Sequence, residues 1–270
     1  MDNTNPKLSI ALAVYNEELT LGDCLSSIKD IADEIVIVDG ASRDKTVEVA
    51  TRFGARIIHE QNRQNFHINK QIAIDACTGD WILQLDADER VSTMLANEIR
   101  QVVSSSSNAK DAYYLKRRNY FLGRYMNKGG MYPDPVIRLF KKGKAKLPQA
   151  SVHELMAVDG TLAWLQNDLI HIADPTFTRY LLRSNRYTTL AATDYAALNI
   201  GISTGSIIKY MMLKPFVRFL EIYIRHKGFQ DGFPGFVFAY YSALHIASSY
   251  VKYWEKKTTN QQTNLIHDWN

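Results

Sequence analysis

Cysteine is scarce: the 270 residues hold two, Cys24 and Cys77. Two thiols build no disulfide framework, and neither stands at the Cys/His spacing of a zinc site. Both lie in half-apolar, helix-like contexts, which marks them as reduced core residues of a cytosolic protein. The opening MDNTNPK has no apolar core of the signal-peptide kind, so nothing in it directs secretion. A large excess of one charge is missing too. Lys and Arg total 32 against 28 Asp and Glu, a formal net charge of +4, which gives no footing for nucleic acid as a partner. No internal repeat is visible. Apolar residues are not in short supply: 46 % hydrophobic and 22 % charged is a globular balance and argues against disorder. The length accommodates one large domain, or one domain with an appendage.

What is present is a β-α alternation. LSIALAV (8–14) is a continuous apolar run, the pattern of a strand buried on both faces. Leu21, Cys24, Leu25 and Ile28 then recur at one-face helical spacing. EIVIVDG (34–40) is a second buried strand. SRDKTVEVATRFG offers Ser42 as a helix cap, an apolar stripe through Val47, Ala50 and Phe53, and Gly54 as terminator. RIIH, the helix NKQIAIDACTG and the strand WILQL (81–85) follow. Such units wind into an open, mostly parallel sheet whose ligands sit at the carboxyl ends of the strands. Three of those ends are polar: Tyr15-Asn16-Glu17, Asp39-Gly40 and Asp86-Ala87-Asp88-Glu89. AYYLKRRNYFLG and PVIRLFKKG read as further strands, SSSSN (104–108) as a connection, and the chain from Thr176 onward as helix.

Asp86 and Asp88, one residue apart at a strand end, repel each other unless a cation lies between them. Oxygen ligands in that arrangement suit Mg²⁺ or Mn²⁺, which commonly hold one or two protein carboxylates plus substrate phosphates.

The order IALAVYNEE, IVIVDGASRDKT, TGDWILQLDADE resembles family 2 glycosyltransferases of the GT-A fold. VHE, RSNRYTTLAA and KPFVRFLEIYIRHKGFQDGFPGF continue it, in the manner of bacterial lipopolysaccharide-core β-1,4-glucosyltransferases. The resemblance implies a Rossmann-like α/β nucleotide-sugar-binding domain over residues 1–175 and a helical C-terminal region over 176–270. It implies inverting hexosyl transfer from a nucleotide donor, UDP-hexose above all, to a glycan or lipid-linked acceptor in envelope polysaccharide synthesis.

It also implies roles. Val14, Tyr15, Asn16 and Glu17 would lie beside uridine, and Asp39 would accept from the uracil N–H. Lys70 stands where many relatives carry an arginine near phosphate or ribose, followed by Gln71 where asparagine is usual. Asp86 would lie near ribose and metal, and Asp88 would bind the metal. Glu154 in SVHELM is the candidate base, its alternative being a polar strand end with His153. His171, flanked by apolar residues, is either a metal ligand or a core histidine. Arg183 and Arg186 are either phosphate contacts or a basic helix face.

Other classes fit less well. A phosphatase using Asp-x-Asp carries it on the first strand, not the fourth. A nucleotidyltransferase carries a glycine-rich basic loop where this chain has YNEELT. A non-catalytic nucleotide-sugar-binding module or membrane scaffold has no need of Asp39, Asp86, Asp88 and Glu154 together. In the tail, Phe216, Phe219, Leu220 and Tyr223 share a helical face between Pro215 and Gly228, with Lys214, Arg218 and Arg225 opposite. The uncharged run 232–251 has the length of a spanning helix, but its proline, glycines, serines and histidine make it a poor one. The expectation is packing as core, or attachment to anionic lipid at the cytoplasmic face of the inner membrane.

Overall fold

A computed structural model describes residues 5–63, 65–105, 109–148 and 155–259. The chain divides into two compact units: residues 1–118 with 134–172, and residues 119–133 with 173–270.

In the first unit the apolar runs become strands as expected. β1 (Leu8–Val14) lies between β2 (Glu34–Asp39) and β4 (Trp81–Leu85), parallel to both, and β3 (Arg56–His59) adds outside β2, also parallel. The helices α1 (Leu21–Ile28), α2 (Thr46–Arg52), α3 (Phe66–Ala76) and α4 (Thr93–Ser104) alternate with them. The core lies on both faces of β1, where Ile10, Ala11 and Leu12 are fully buried. Gly79 shows how tightly the parallel half is built: a Cβ there would sit 2.7 Å from Ser9 Oγ and 2.8 Å from the Lys7 carbonyl.

After β4 the direction changes. β5 is Glu89–Val91, β6 Ala112–Phe121, β7 Arg124–Tyr125, β8 Pro135–Lys141, β9 Ala145–Lys146, β10 Ala157–Val158 and β11 Leu162–Asp174. Among the described residues the main sheet runs β3-β2-β1-β4-β8-β6-β11-β5, with β7 on β6, while β9 and β10 form a separate pair. β8 is antiparallel to both β4 and β6, and β5 is antiparallel to β11. The sheet is therefore parallel where β-α units built it and antiparallel where β8 inserts beside β4.

Ser42 does not cap α2. The helix begins at Thr46, and Ser42 serves the preceding loop, its Oγ accepting from Asn16 N–H at 2.9 Å. Asn65, Ser92 and Thr176 are side-chain caps in fact, for α3, α4 and α5 (Phe177–Ala197).

The second unit is helical beyond β11. α5 is followed by α6 (Thr204–Ile208), π-helical turns at Lys209–Leu213 and Glu221–Arg225 flanking α7 (Lys214–Leu220), and α8 (Gly232–Thr259). Pro215 follows directly on the π-helical turn Lys209–Leu213, inside a continuous helical stretch rather than at a free helix start. The expected apolar face splits: Phe219 and Tyr223 stack on each other and against Phe236, while Phe216 and Leu220 stay exposed. No helix among the described residues is long and apolar enough to cross a membrane.

Candidate active site

The parallel register sets Val14 opposite Asp39, and Leu12 opposite Leu85. The ends of β1, β2 and β4 therefore reach one edge of the sheet, bringing the three polar clusters together.

The loops after β1 and β2 are stitched to each other. Asn16 adopts a left-handed backbone (φ 54°), and its Oδ1 accepts from Arg43 N–H at 2.8 Å. Glu17 N–H donates to Thr46 Oγ1 at 2.7 Å, and Glu17 Oε2 accepts from the Thr20 hydroxyl at 2.5 Å. The Asn16 and Glu17 side chains thus hold the shape of the edge, while Tyr15 beside them is half-buried. Val14 is core. Asp39 ends β2 almost fully buried, its carboxylate accepting from Ser42 N–H at 3.2 Å and lying 3.6 Å from His59 Nδ1.

At the end of β4 the four residues Asp86 to Glu89 make a tight turn. Glu89 N–H donates to the Asp86 carbonyl at 3.0 Å, and Glu89 Oε2 accepts from Asp86 N–H at 3.0 Å. The three carboxylates have separate partners. Asp86 meets two cations, Lys70 through Oδ1 and Arg138 Nη2 through Oδ2 at 2.7 Å. Asp88 Oδ2 faces His171 Nε2 at 3.4 Å. Glu89, fully buried, binds the same Arg138 Nη2 at 2.7 Å, with Arg117 Nη1 at 3.7 Å. Repulsion along Asp-Ala-Asp-Glu is thus relieved residue by residue.

The electrostatics follow from these partners. Burial works to raise the Asp86 carboxyl, but the charges of Arg138 and then Lys70 outweigh it and hold the group well below the usual carboxylate range. For Asp88, burial is outweighed by the hydrogen bond and charge of His171, and the carboxyl is again lowered. Arg138 would lose its proton more readily on burial alone, yet Asp86 and Glu89 push its pKa up. Cys24 is buried under the turn, its thiol 3.5 Å from the Asp86 carbonyl, and burial pushes that thiol well up.

His171 reaches Asp88 because β11 pairs with β5, setting His171 opposite Glu89; Ile172 N–H also donates to the Asp88 carbonyl at 2.9 Å. It is neither an isolated core histidine nor part of a closed ligand cage. Among the described residues no three His, Cys, Asp or Glu side chains gather as a metal-binding set. Asp86, expected near ribose and metal, pairs with Lys70 and Arg138. The Asp88 carboxylate suits a hard divalent cation that completes its shell with phosphate oxygens and water, and the His171 imidazole suits the softer Mn²⁺ better than Mg²⁺. The donor set at Asp88 and His171 therefore fits a divalent cation, Mn²⁺ more readily than Mg²⁺.

Lys70 projects from α3 to Asp86 and lies 5.0 Å over the Phe66 ring. Gln71 is structural, its Oε1 accepting from Leu147 N–H at 2.7 Å. Arg183 pairs with the buried Asp174. Glu154 and His153 lie outside the described residues.

Gln84, Arg138 and Arg117 join the turn with no expectation from the sequence. The antiparallel register pairs Leu83 with Leu139, so the next pair along is Gln84 with Arg138, and Arg138 Nη1 donates to Gln84 Oε1. For Gln84 and Arg138 the signal was available: each is a polar residue inside an apolar run, in WILQL and in PVIRLF.

Residues 9–153 match the family model of glycosyl transferase family 2. The chain is 25 % identical over 271 residues to the lipopolysaccharide core biosynthesis glycosyltransferase LpsC of Rhizobium meliloti, covering 96 % of this chain and 97 % of that one. An uncharacterized glycosyltransferase of Rickettsia typhi is 26 % identical over 255 residues, 89 % of this chain and 86 % of its own length. Among solved structures, the mannosyltransferase PcManGT from Pyrobaculum calidifontis, in complex with GDP-Man and Mn²⁺, superposes with a TM-score of 0.51 at 14 % identity, covering 94 % of this chain and 89 % of that one. That likeness establishes the GT-A type of fold. The chain belongs to glycosyl transferase family 2.

Proposed function

We propose that the chain transfers a hexose, with inversion, from a nucleotide donor, UDP-hexose above all, to a glycan acceptor of envelope lipopolysaccharide. The observation that carries this reading is the turn ending β4, where Asp88 faces His171 while Asp86 is held by Lys70 and Arg138. The envelope setting follows the name of LpsC.

Tyr15 and Asp39 would receive the base, Asp39 accepting the uracil N–H at the buried end of β2. Lys70 lies where a phosphate or ribose oxygen can replace part of its bond to Asp86. Asp88 and His171 would hold Mg²⁺ or Mn²⁺, which when bound stabilises charge on the leaving diphosphate. The acceptor hydroxyl attacks the anomeric carbon, forming the new C–O bond as the bond to the diphosphate oxygen breaks. Its proton passes to a carboxylate base, which we assign from the sequence to Glu154. Single displacement needs no covalent nucleophile, and inverts the α-linked donor to a β-linked product.

Proton NMR of the product formed from an α-linked UDP-hexose tests the reading. A large anomeric coupling, diagnostic of a β-gluco or β-galacto linkage, is expected. A retained α linkage would overturn the inverting assignment, and failure of every nucleotide sugar to turn over would overturn the activity.

A further inference from the structure

The helical stretch 204–230 of the second unit has three faces. Pro215, Phe219 and Ile222 turn toward the unit's interior. Lys214, Arg218, Glu221 and Arg225 recur on a second face at three- and four-residue spacing. The third is apolar and open to solvent: Met212 is 66 % exposed, Leu213 58 %, Phe216 62 %, Val217 62 % and Ile224 55 %. Large apolar side chains bared singly are ordinary on a protein surface, but a contiguous stripe marks a binding face. Phe229 and Phe233, 47 % and 72 % exposed, follow it in the chain toward the start of α8. In the same unit an apolar recess of about 220 Å³ opens among Ile207, Met211, Tyr250, Val251 and Trp254.

The charges beside the stripe say what covers it. Residues 204–230 hold Lys209, Lys214, Arg218, Arg225 and Lys227, all exposed, against one carboxylate, Glu221. That excess equals the formal net charge of +4 of the whole chain, so the remainder is balanced. A second copy seated on this face by two-fold symmetry would bring like charges together. A surface of anionic lipid would take both features at once, with apolar side chains entering the acyl boundary and cations meeting headgroups.

We propose that the face formed by Met212, Leu213, Phe216, Val217 and Ile224, with Lys214, Arg218 and Lys227 beside it, docks the chain in the plane of an anionic bilayer. This does not rest on the proposed acceptor or donor, and its test reads lipid binding alone.

The test is flotation of the full chain with vesicles of phosphatidylcholine, and of phosphatidylcholine mixed with phosphatidylglycerol. The chain should float with the mixed vesicles at low salt and be released by high salt. Phe216→Ser combined with Val217→Ser should lower binding by about tenfold or more. UDP binding and thermal stability should be unchanged, since both side chains stand in solvent. Lys214→Glu with Lys227→Glu should weaken binding to the anionic vesicles. A full chain that floats with neither vesicle overturns the proposal. So does lipid binding indifferent to the Phe216 and Val217 changes. A concentration-dependent dimer that the same changes dissolve would instead identify a second copy as the occupant.

Discussion

One nitrogen of Arg138, Nη2, lies 2.7 Å from Asp86 Oδ2 and 2.7 Å from Glu89 Oε1, joining the two ends of the turn that closes β4. Arg138 is 7 % exposed and Glu89 not at all, so the pair sits where an unpartnered charge is expensive. The arginine is a positioning residue: it fixes Asp86 and the backbone of the turn, and through them the place of Asp88.

Arg138→Met should therefore destabilise the chain by about 3–5 kcal/mol, the cost of leaving one member of a buried pair uncompensated. Arg117, at 3.7 Å from Glu89, softens the loss and places it toward the lower end. Glu89→Gln added to Arg138→Met should restore part of it, because the orphaned charge is removed. Arg138→Lys should restore little, since an ammonium cannot span both carboxylates and Gln84 as the planar fork does. Urea denaturation of the four proteins checks the series, and an unchanged midpoint for Arg138→Met would contradict it.

Glu34 makes the pH dependence of the first unit measurable. Burial works to raise its carboxyl, but hydrogen bonds from Ser9, the Thr78 backbone and Arg56 outweigh it and hold the pKa at about 2 rather than 4.5. A carboxyl lowered on folding stabilises fully above its unfolded pKa, and that stabilisation fades as pH falls toward the folded value. The shift corresponds to about 3 kcal/mol near neutrality, of which about 2 kcal/mol is gone by about pH 3. Glu34→Gln should flatten stability between about pH 6 and pH 3 relative to the parent chain. Parallel acid titrations of the two proteins would contradict the assignment.

Glu154→Gln should leave UDP-sugar binding intact and lower the rate of transfer by roughly 10²–10⁴-fold, the usual cost of removing a general base. Calorimetry for binding and single-turnover kinetics for rate separate the two. A joint loss of both would make Glu154 structural.

The parallel half of the fold was legible because it is written locally. LSIALAV, EIVIVD and WILQL are predominantly apolar runs, and the polar residues that end them meet at one edge of the sheet. Asp86 and Asp88 were legible for the same reason. Arg138 was not, because its partners lie 52 and 49 residues away and meet it only through the antiparallel pairing of β4 with β8. Ser42 misled because a local capping signal lost to a contact with Asn16 across the edge. In the tail the expected apolar face became two because Phe219 and Tyr223 pack against Phe236 while Phe216 and Leu220 face solvent.

On the proposed reading, the end of β4 binds a divalent cation and the donor's diphosphate together through Asp88. Calorimetric titration of UDP into the parent chain and into Asp88→Asn, each with and without Mn²⁺, tests it most directly. Mn²⁺ should tighten UDP binding to the parent chain by roughly five- to 150-fold, the range of coupling between sites that share a ligand, and Asp88→Asn should abolish the difference. UDP affinity indifferent to Mn²⁺, or a Mn²⁺ effect that survives Asp88→Asn, would contradict the account.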